Sequence, residues 1–170
     1  MRRTALLCLA GAAGMLGVAY ASAPLYNLFC RLTGFDGTPL VGSGPSPRVV
    51  DHAVAVRFDA NVAPGLDWRF ASETARIDAR LGETQTVFFR VRNAGSAPST
   101  GIATFNVQPA LAGPFFVKIE CFCFKEQTLQ AGESMDFPVV FYLEPGLTED
   151  PNVKDLAEIT LSYTYFAART

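Results

Sequence analysis

Two hydrophobic patterns divide the chain. The first, "MRRTALLCLAGAAGMLGVAYASAPLYNLFCR", is continuously apolar, with no charge between Arg3 and Arg31. A helix from Leu6 to Tyr26 would rise roughly 31 Å, at about 1.5 Å per residue, which matches a bilayer's hydrocarbon core. Leu6, Leu7, Leu9, Leu16, Val18, Leu25 and Leu28 carry most of its insertion energy. A cleaved signal peptide is the rival reading, because Arg2 and Arg3 make a basic start and "AYASA" has small residues at cleavage spacing. The apolar run nevertheless continues through "PLYNLF". Tyr20, Tyr26 and Phe29 also stand where interfacial aromatic anchors belong, so an uncleaved anchor is expected. With Arg2 and Arg3 on the cytoplasmic side, the remainder is exported.

The second pattern has period two. Val50, Val54, Val56 and Phe58 alternate, as do Leu66, Trp68 and Phe70, then Ala75, Ile77, Ala79 and Leu81, then Val87, Phe89 and Val91. "IATFNV", "FFVKIE", "MDFPVVFYL" and "AEITLSYTYF" complete about eight short strands, separated by turn-forming stretches such as "APG", "LGE" and "AGE". The expected fold is all-β, an immunoglobulin-like antiparallel β-sandwich preceded by one N-terminal transmembrane helix. The Gly/Pro/Ser-rich residues 31–48 read as a flexible tether. The expected organisation is therefore an anchor over 1–30, a tether over 31–48, the sandwich over 49–166 and a tail over 167–170. "ITLSYTYF" is β-favourable on both faces, so its outer face calls for cover from a partner or the membrane surface.

Composition narrows the function. The chain has 170 residues, 49% of them hydrophobic, and a net charge of −2, which offers no basic surface for nucleic acid. It has no Ser/His/Asp set, phosphate loop or carboxylate pair that would make it an enzyme. His52, in phase with Val54, reads as a partly buried strand residue, and Met135, in phase with Phe137 and Val139, as core. Asp51 and Asp59 read as solvated.

The four cysteines carry the candidate chemistry. Cys8 reads as an inert thiol inside the membrane helix. Cys121 and Cys123 stand one residue apart in "FFVKIECFCFKEQ". If that stretch is one strand, Phe115, Val117, Ile119, Cys121 and Cys123 share a face, and Phe116, Lys118, Glu120, Phe122 and Phe124 share the other. The two cysteine Cα atoms would then lie roughly 6.5–7 Å apart, at the edge of disulfide geometry. Two thiolates on one face can instead converge on a soft ion such as Cu(I), whereas structural zinc wants four ligands. Buried core thiols, a disulfide involving Cys30, a redox pair and a Cu(I) pair all stand at this point. Inward thiols would leave Phe122 and Phe124 outside beside Lys118 and Glu120, as a partner-facing or metal-shielding surface. Cys30, at the end of the apolar run, reads either as an interfacial apolar residue or as a third thiol at the membrane surface. A tether of roughly 60 Å at full extension would let it meet the pair.

"FFVKIECFCFKEQTLQAGE" followed by "MDFPVVFYLEP", with "LYNLFCRLTGFDGT", "ATFNVQP" and "ITLSYTYF", resembles the copper-delivery assembly proteins of cytochrome c oxidase. Phe137 departs from the family's "MPV" segment. The short N-terminus, without a transit peptide, looks bacterial. The resemblance implies a membrane-anchored immunoglobulin-like domain in the periplasm, facing the outer side of the inner membrane. It implies Cu(I) held by Cys121 and Cys123 and delivered to the CuB centre of oxidase subunit I. It further implies a copper-dependent homodimer, and Cys30 acting in transfer or in keeping the pair reduced. A periplasmic copper donor or thiol reductant is the other expected partner, since exported thiols tend to oxidise. The alternatives are a thiol–disulfide oxidoreductase acting on the oxidase copper-site assembly pathway, and a structural adaptor.

Overall fold

Period-two alternation becomes strand almost everywhere it occurs. The computed structural model describes residues 2–33, 40–42, 44–120 and 126–168. One long helix, α1 (Arg2–Thr33), precedes ten strands: β1 (Leu40–Val41), β2 (Ala53–Val62), β3 (Trp68–Ser72), β4 (Arg76–Arg80), β5 (Gln85–Asn93), β6 (Ser99–Gln108), β7 (Phe116–Glu120), β8 (Gln127–Leu129), β9 (Ser134–Leu143) and β10 (Glu158–Ala167). Short 3-10 turns at Ala110–Phe115 and Pro145–Thr148 complete the described elements.

The strands form two five-stranded sheets, ordered β1-β7-β9-β5-β3 and β4-β2-β10-β6-β8. Their inner faces share one core, in which Phe58 from the second sheet meets Phe89 from the first at 6.0 Å between ring centroids. Trp68 and Tyr165 meet across the same interface at 5.1 Å. The expected sandwich is present, but it is not wholly antiparallel. β10 pairs in parallel with β2 over eight residues, from Glu158↔Ala55 to Tyr165↔Val62, and β1 pairs in parallel with β7. The chain's first long strand and its last are thus neighbours, a long-range pairing that no local turn signal announces. Being central in its sheet, β10 has an outer face of half-buried Glu158, Thr160, Ser162 and Thr164.

Several expectations need correction. The stretch read as an unstructured tether is shorter than 31–48, because α1 runs on to Thr33 and Leu40–Val41 pairs with Val117–Lys118. The amide of Gly42 then donates to the Lys118 carbonyl at 2.8 Å. Only six residues separate helix from sheet, which shortens the maximum reach to roughly 25 Å. His52 precedes β2 and is exposed. Met135 keeps the phase of Phe137 but stands 37% exposed near the start of β9. Phe115 belongs to the 3-10 turn and not to a strand.

α1 supplies a 29-residue stretch, Arg2–Cys30, of mean hydropathy 1.7, long and apolar enough to cross a membrane. Its leucines are exposed, as are Tyr20, Tyr26 and Phe29.

One glycine fixes the entry to the sandwich. Gly82, with φ +81°, ends the turn after β4 and donates its amide to the Leu143 carbonyl at 2.7 Å. A Cβ there would run into the Arg48 backbone carbonyl. Gly82→Ala combines a left-handed backbone with that clash, so it is expected to cost at least about 2 kcal/mol in urea unfolding of the full chain in detergent.

Candidate metal centre

β7 leads directly into the cysteine pair. It is held on one side by β9, through Phe116↔Leu143, Val117↔Tyr142 and Lys118↔Phe141, and on the other by β1. The register against β9 shifts between Lys118 and Glu120, since Glu120 faces Val140. A strict alternation carried from Phe115 through to Cys123 is therefore not the pattern of this strand. The next strand after the cysteines, β8, lies in the other sheet, where Gln127 pairs with Gly101 of β6. The segment with both cysteines thus connects one sheet to the other. Cys121, Phe122, Cys123 and Phe124 lie outside the described residues, and Glu120 is described by its backbone alone.

Lys118 overturns its expected place. It does not join a partner-facing surface but is 1% exposed, its side chain lying inward in phase with Phe116, which is fully buried. The Lys118 Nζ donates to the Tyr163 hydroxyl at 2.9 Å. It also lies 3.4 Å from the centroid of the Phe105 ring and 5.1 Å from that of Tyr163, close enough for the negative ring faces to attract the cation. The signal was present in the sequence, because "FFVKIE" sets Lys118 two residues after Phe116. A lysine is ordinarily assigned to the wet face, so phase lost to composition.

Burial pushes the Lys118 ammonium from its ordinary 10.5 down to about 7. Burial likewise raises the Tyr163 phenol, and raises Tyr165 to about 12. These shifts set a pH profile. Between about pH 7 and 10.5 the unfolded chain holds a proton on Lys118 that the folded chain has released, so stability rises with pH, by at most about 1.4 kcal/mol per unit. Above about pH 10 the unfolded tyrosines ionise while Tyr163 and Tyr165 resist, and stability falls again. Urea midpoints are expected to climb from pH 7 to about 9.5 and decline beyond it. In Lys118→Met the rising limb should be absent.

Cys30 is the one buried residue among the described side chains of α1, at 8% exposure, and it is a free thiol. Cys8 is free and exposed on the helix surface. Among the described residues, no group of three or more His, Cys, Asp or Glu is placed to hold a metal ion.

Residues 22–167 match the family described as cytochrome c oxidase assembly protein CtaG/Cox11. The chain belongs to the CtaG/Cox11 family. The match begins within α1 and ends with β10, so it takes in Cys30, Cys121 and Cys123. The cytochrome c oxidase assembly protein CtaG of Sinorhizobium fredii is 50% identical over 159 residues, covering 94% of this chain and 80% of that protein. The CtaG protein of Xanthobacter autotrophicus is 47% identical over 163 residues, covering 96% and 80% respectively. That of Bradyrhizobium diazoefficiens is 45% identical over 156 residues, covering 91% and 73%. The CtaG/Cox11 match thus covers the C-terminal part of α1 and both sheets.

Proposed function

We propose that this protein is a Cu(I) metallochaperone that delivers copper to the CuB centre of cytochrome c oxidase subunit I during oxidase assembly. The observation that carries this reading is the Cys-Phe-Cys-Phe segment inside the CtaG/Cox11 match, whose members are named for oxidase assembly. Cys121 and Cys123 are the copper ligands, since two thiolates select a soft monovalent ion. Phe122 and Phe124 form the apolar rim that shields the ion or meets the partner. Copper is cargo: on delivery an incoming ligand of the acceptor adds to the two-coordinate ion, one of the two cysteine thiolates leaves, and the exchange repeats, while loading from the donor runs the same exchange in reverse. No covalent bond of a substrate changes, so the protein acts as a carrier and not as an enzyme.

α1 spans the bacterial inner membrane with its N-terminus in the cytoplasm and the sandwich in the periplasm, and Arg2 and Arg3 support that orientation. Anchoring confines the search for a membrane-embedded acceptor and raises its effective concentration. Cys30 keeps the pair reduced or accepts copper in passing. A periplasmic copper donor or thiol reductant completes the cycle, and copper-bound chains pair as a homodimer with shared thiolates.

The test is complementation of a bacterium lacking its own CtaG/Cox11 protein. With the wild-type chain, purified oxidase should contain CuB; with Cys121→Ala or Cys123→Ala, CuB should be missing while haem is retained. Normal CuB content with both cysteines replaced would overturn the copper reading. CuB content restored by added thiol reductant without either cysteine would point to thiol–disulfide exchange.

A further inference from the structure

Most arginines of the sandwich are matched by a carboxylate, and two are not. Of the seven arginines between residues 48 and 92, five have a carboxylate oxygen within 4.0 Å, namely Arg48, Arg57, Arg76, Arg80 and Arg90. Arg69 and Arg92 have none among the described residues. These two are direct cross-strand neighbours, Arg69 on β3 and Arg92 on β5, and both are exposed on the outer face of the first sheet. Like charges set directly opposite each other are destabilising. A hollow of about 250 Å³ opens beside them, completed by Asn93, Ala94 and Gly132. Asn93 is buried and its side chain is used within the protein: its amide nitrogen donates to the Ala97 and Leu129 carbonyls, and its amide oxygen accepts from the Gly95 amide. The amides of Ala94 and Gly132 are likewise taken, by the Asp67 and Asn93 carbonyls. The two guanidinium groups are therefore the donors this hollow leaves for a ligand.

A second feature of the same face points to what the ligand is. Phe88 precedes Arg92 by four residues on β5, so it faces the same way, and it is 46% exposed opposite Pro138 of β9. Four residues of strand set the two Cα atoms roughly 13 Å apart. Arg90, between them, is already held by Asp136. An inorganic anion would use the arginines and leave Phe88 idle, whereas exposed aromatic and arginine side chains together anchor protein interfaces. A lipid surface fits less well. Six residues join α1 to β1, and β1 lies at the opposite edge of this sheet from β3. β1 also meets the start of β7, beside Tyr142, while Arg92 faces Ser134 at the other end of β9, roughly 27 Å away. The corner that α1 joins and the arginine pair are thus diagonally opposed. We infer that the outer face of β3 and β5 docks an acidic segment of a partner protein: Arg69 and Arg92 together grip its carboxylates, and Phe88 receives an apolar residue about 13 Å along it. The inference stands apart from the copper reading above.

The test uses the full chain in detergent at pH 7 and low salt. The probe is a fluorescein-labelled peptide of one leucine, three serines and two glutamates in that order, and binding is read by fluorescence anisotropy. Arg69→Gln and Arg92→Gln should each weaken binding about tenfold. Phe88→Ser should lower the affinity to that of a peptide whose leucine is replaced by serine. Arg57→Gln, on the other sheet, should leave binding unchanged. Both variants of the pair should keep or raise the urea midpoint, because two like charges are parted. Binding that is absent from the wild-type chain, or equal in wild type and both variants of the pair, would overturn the proposal. So would undiminished binding in Phe88→Ser, or inorganic phosphate competing as well as the peptide does, since the pair would then be an anion site only. A urea midpoint lowered in both variants of the pair would assign them a purely structural part and overturn it too. Phenylglyoxal labelling of Arg69 and Arg92 in lipid nanodiscs separates lipid from protein. Equal rates in phosphatidylcholine and phosphatidylglycerol are expected, and protection by phosphatidylglycerol would give the pair to lipid headgroups and overturn the proposal.

Discussion

Replacing Cys121 and Cys123 together by alanine is expected to take bound Cu(I) from stoichiometric to background, and either single replacement should do nearly the same. Cu(I) held by two thiolates has no third protein ligand to fall back on when one is removed, and a single thiolate competes poorly with cellular thiols. Among the described residues no other cluster could substitute. The fold should survive. Among the described residues, the core of both sheets is built from Phe, Tyr, Leu and Val side chains on β2, β5, β9 and β10. Near-UV circular dichroism and the urea midpoint should therefore remain near wild type, while copper retained after gel filtration under reducing conditions drops. Cys30→Ala separates the accessory thiol from the pair. It should leave copper bound and slow either transfer to oxidase or recovery from oxidation.

The second large effect is structural. Phe89 of β5 has no exposed surface and sits at the junction of both sheets. Its ring meets Phe70 at 5.5 Å, Phe58 at 6.0 Å, Phe137 at 6.4 Å and Tyr163 at 5.1 Å. Phe89→Ala loses the transfer energy of the ring and leaves a cavity that two sheets cannot both close, so about 3–5 kcal/mol of stability should go. The adjacent Arg90 makes a useful control. Its guanidinium grips Asp136 through two contacts of 2.7 Å and holds that carboxyl below its ordinary range, yet both side chains are exposed. Solvent screens such a pair, and Arg90→Ala should shift the urea midpoint far less than Phe89→Ala. Because Phe89 packs on Tyr163, which orients Lys118, the Phe89 variant should also blur the pH dependence of stability described above.

The sandwich was largely legible because its strands obey one rule. Val54, Val56 and Phe58 on β2, Val87, Phe89 and Val91 on β5, and Ile159, Leu161, Tyr163 and Tyr165 on β10 all point inward as their alternation requires. β1 and β8 were not legible, since two or three residues carry no periodicity and pair only because the neighbouring strands present free edges. The parallel pairing of β2 with β10 escaped for a related reason: register between strands so distant in sequence is set by the whole core and not by a turn.

At the candidate site, the cysteine spacing and the resemblance pointed to a segment outside the described residues, and the expectation for its surroundings failed at Lys118. Alternation placed that side chain with Phe116, and the customary exposure of lysine argued the other way. Met135 shows the converse error, because its phase was right and its burial wrong: it stands 37% exposed while its cross-strand neighbour Val91 is buried. Period predicts direction, whereas burial also needs something opposite.

The central claim is that two cysteine sulfurs of this chain carry Cu(I). Copper K-edge X-ray absorption on the reduced, copper-loaded full chain in detergent, paired with molecular mass measured with and without copper, tests it most directly. Sulfur as the sole ligand type, at a coordination of about two to three, with one copper per chain in a copper-dependent dimer, is the predicted result. Nitrogen or oxygen ligands, or copper lost from the reduced protein before measurement, would contradict it.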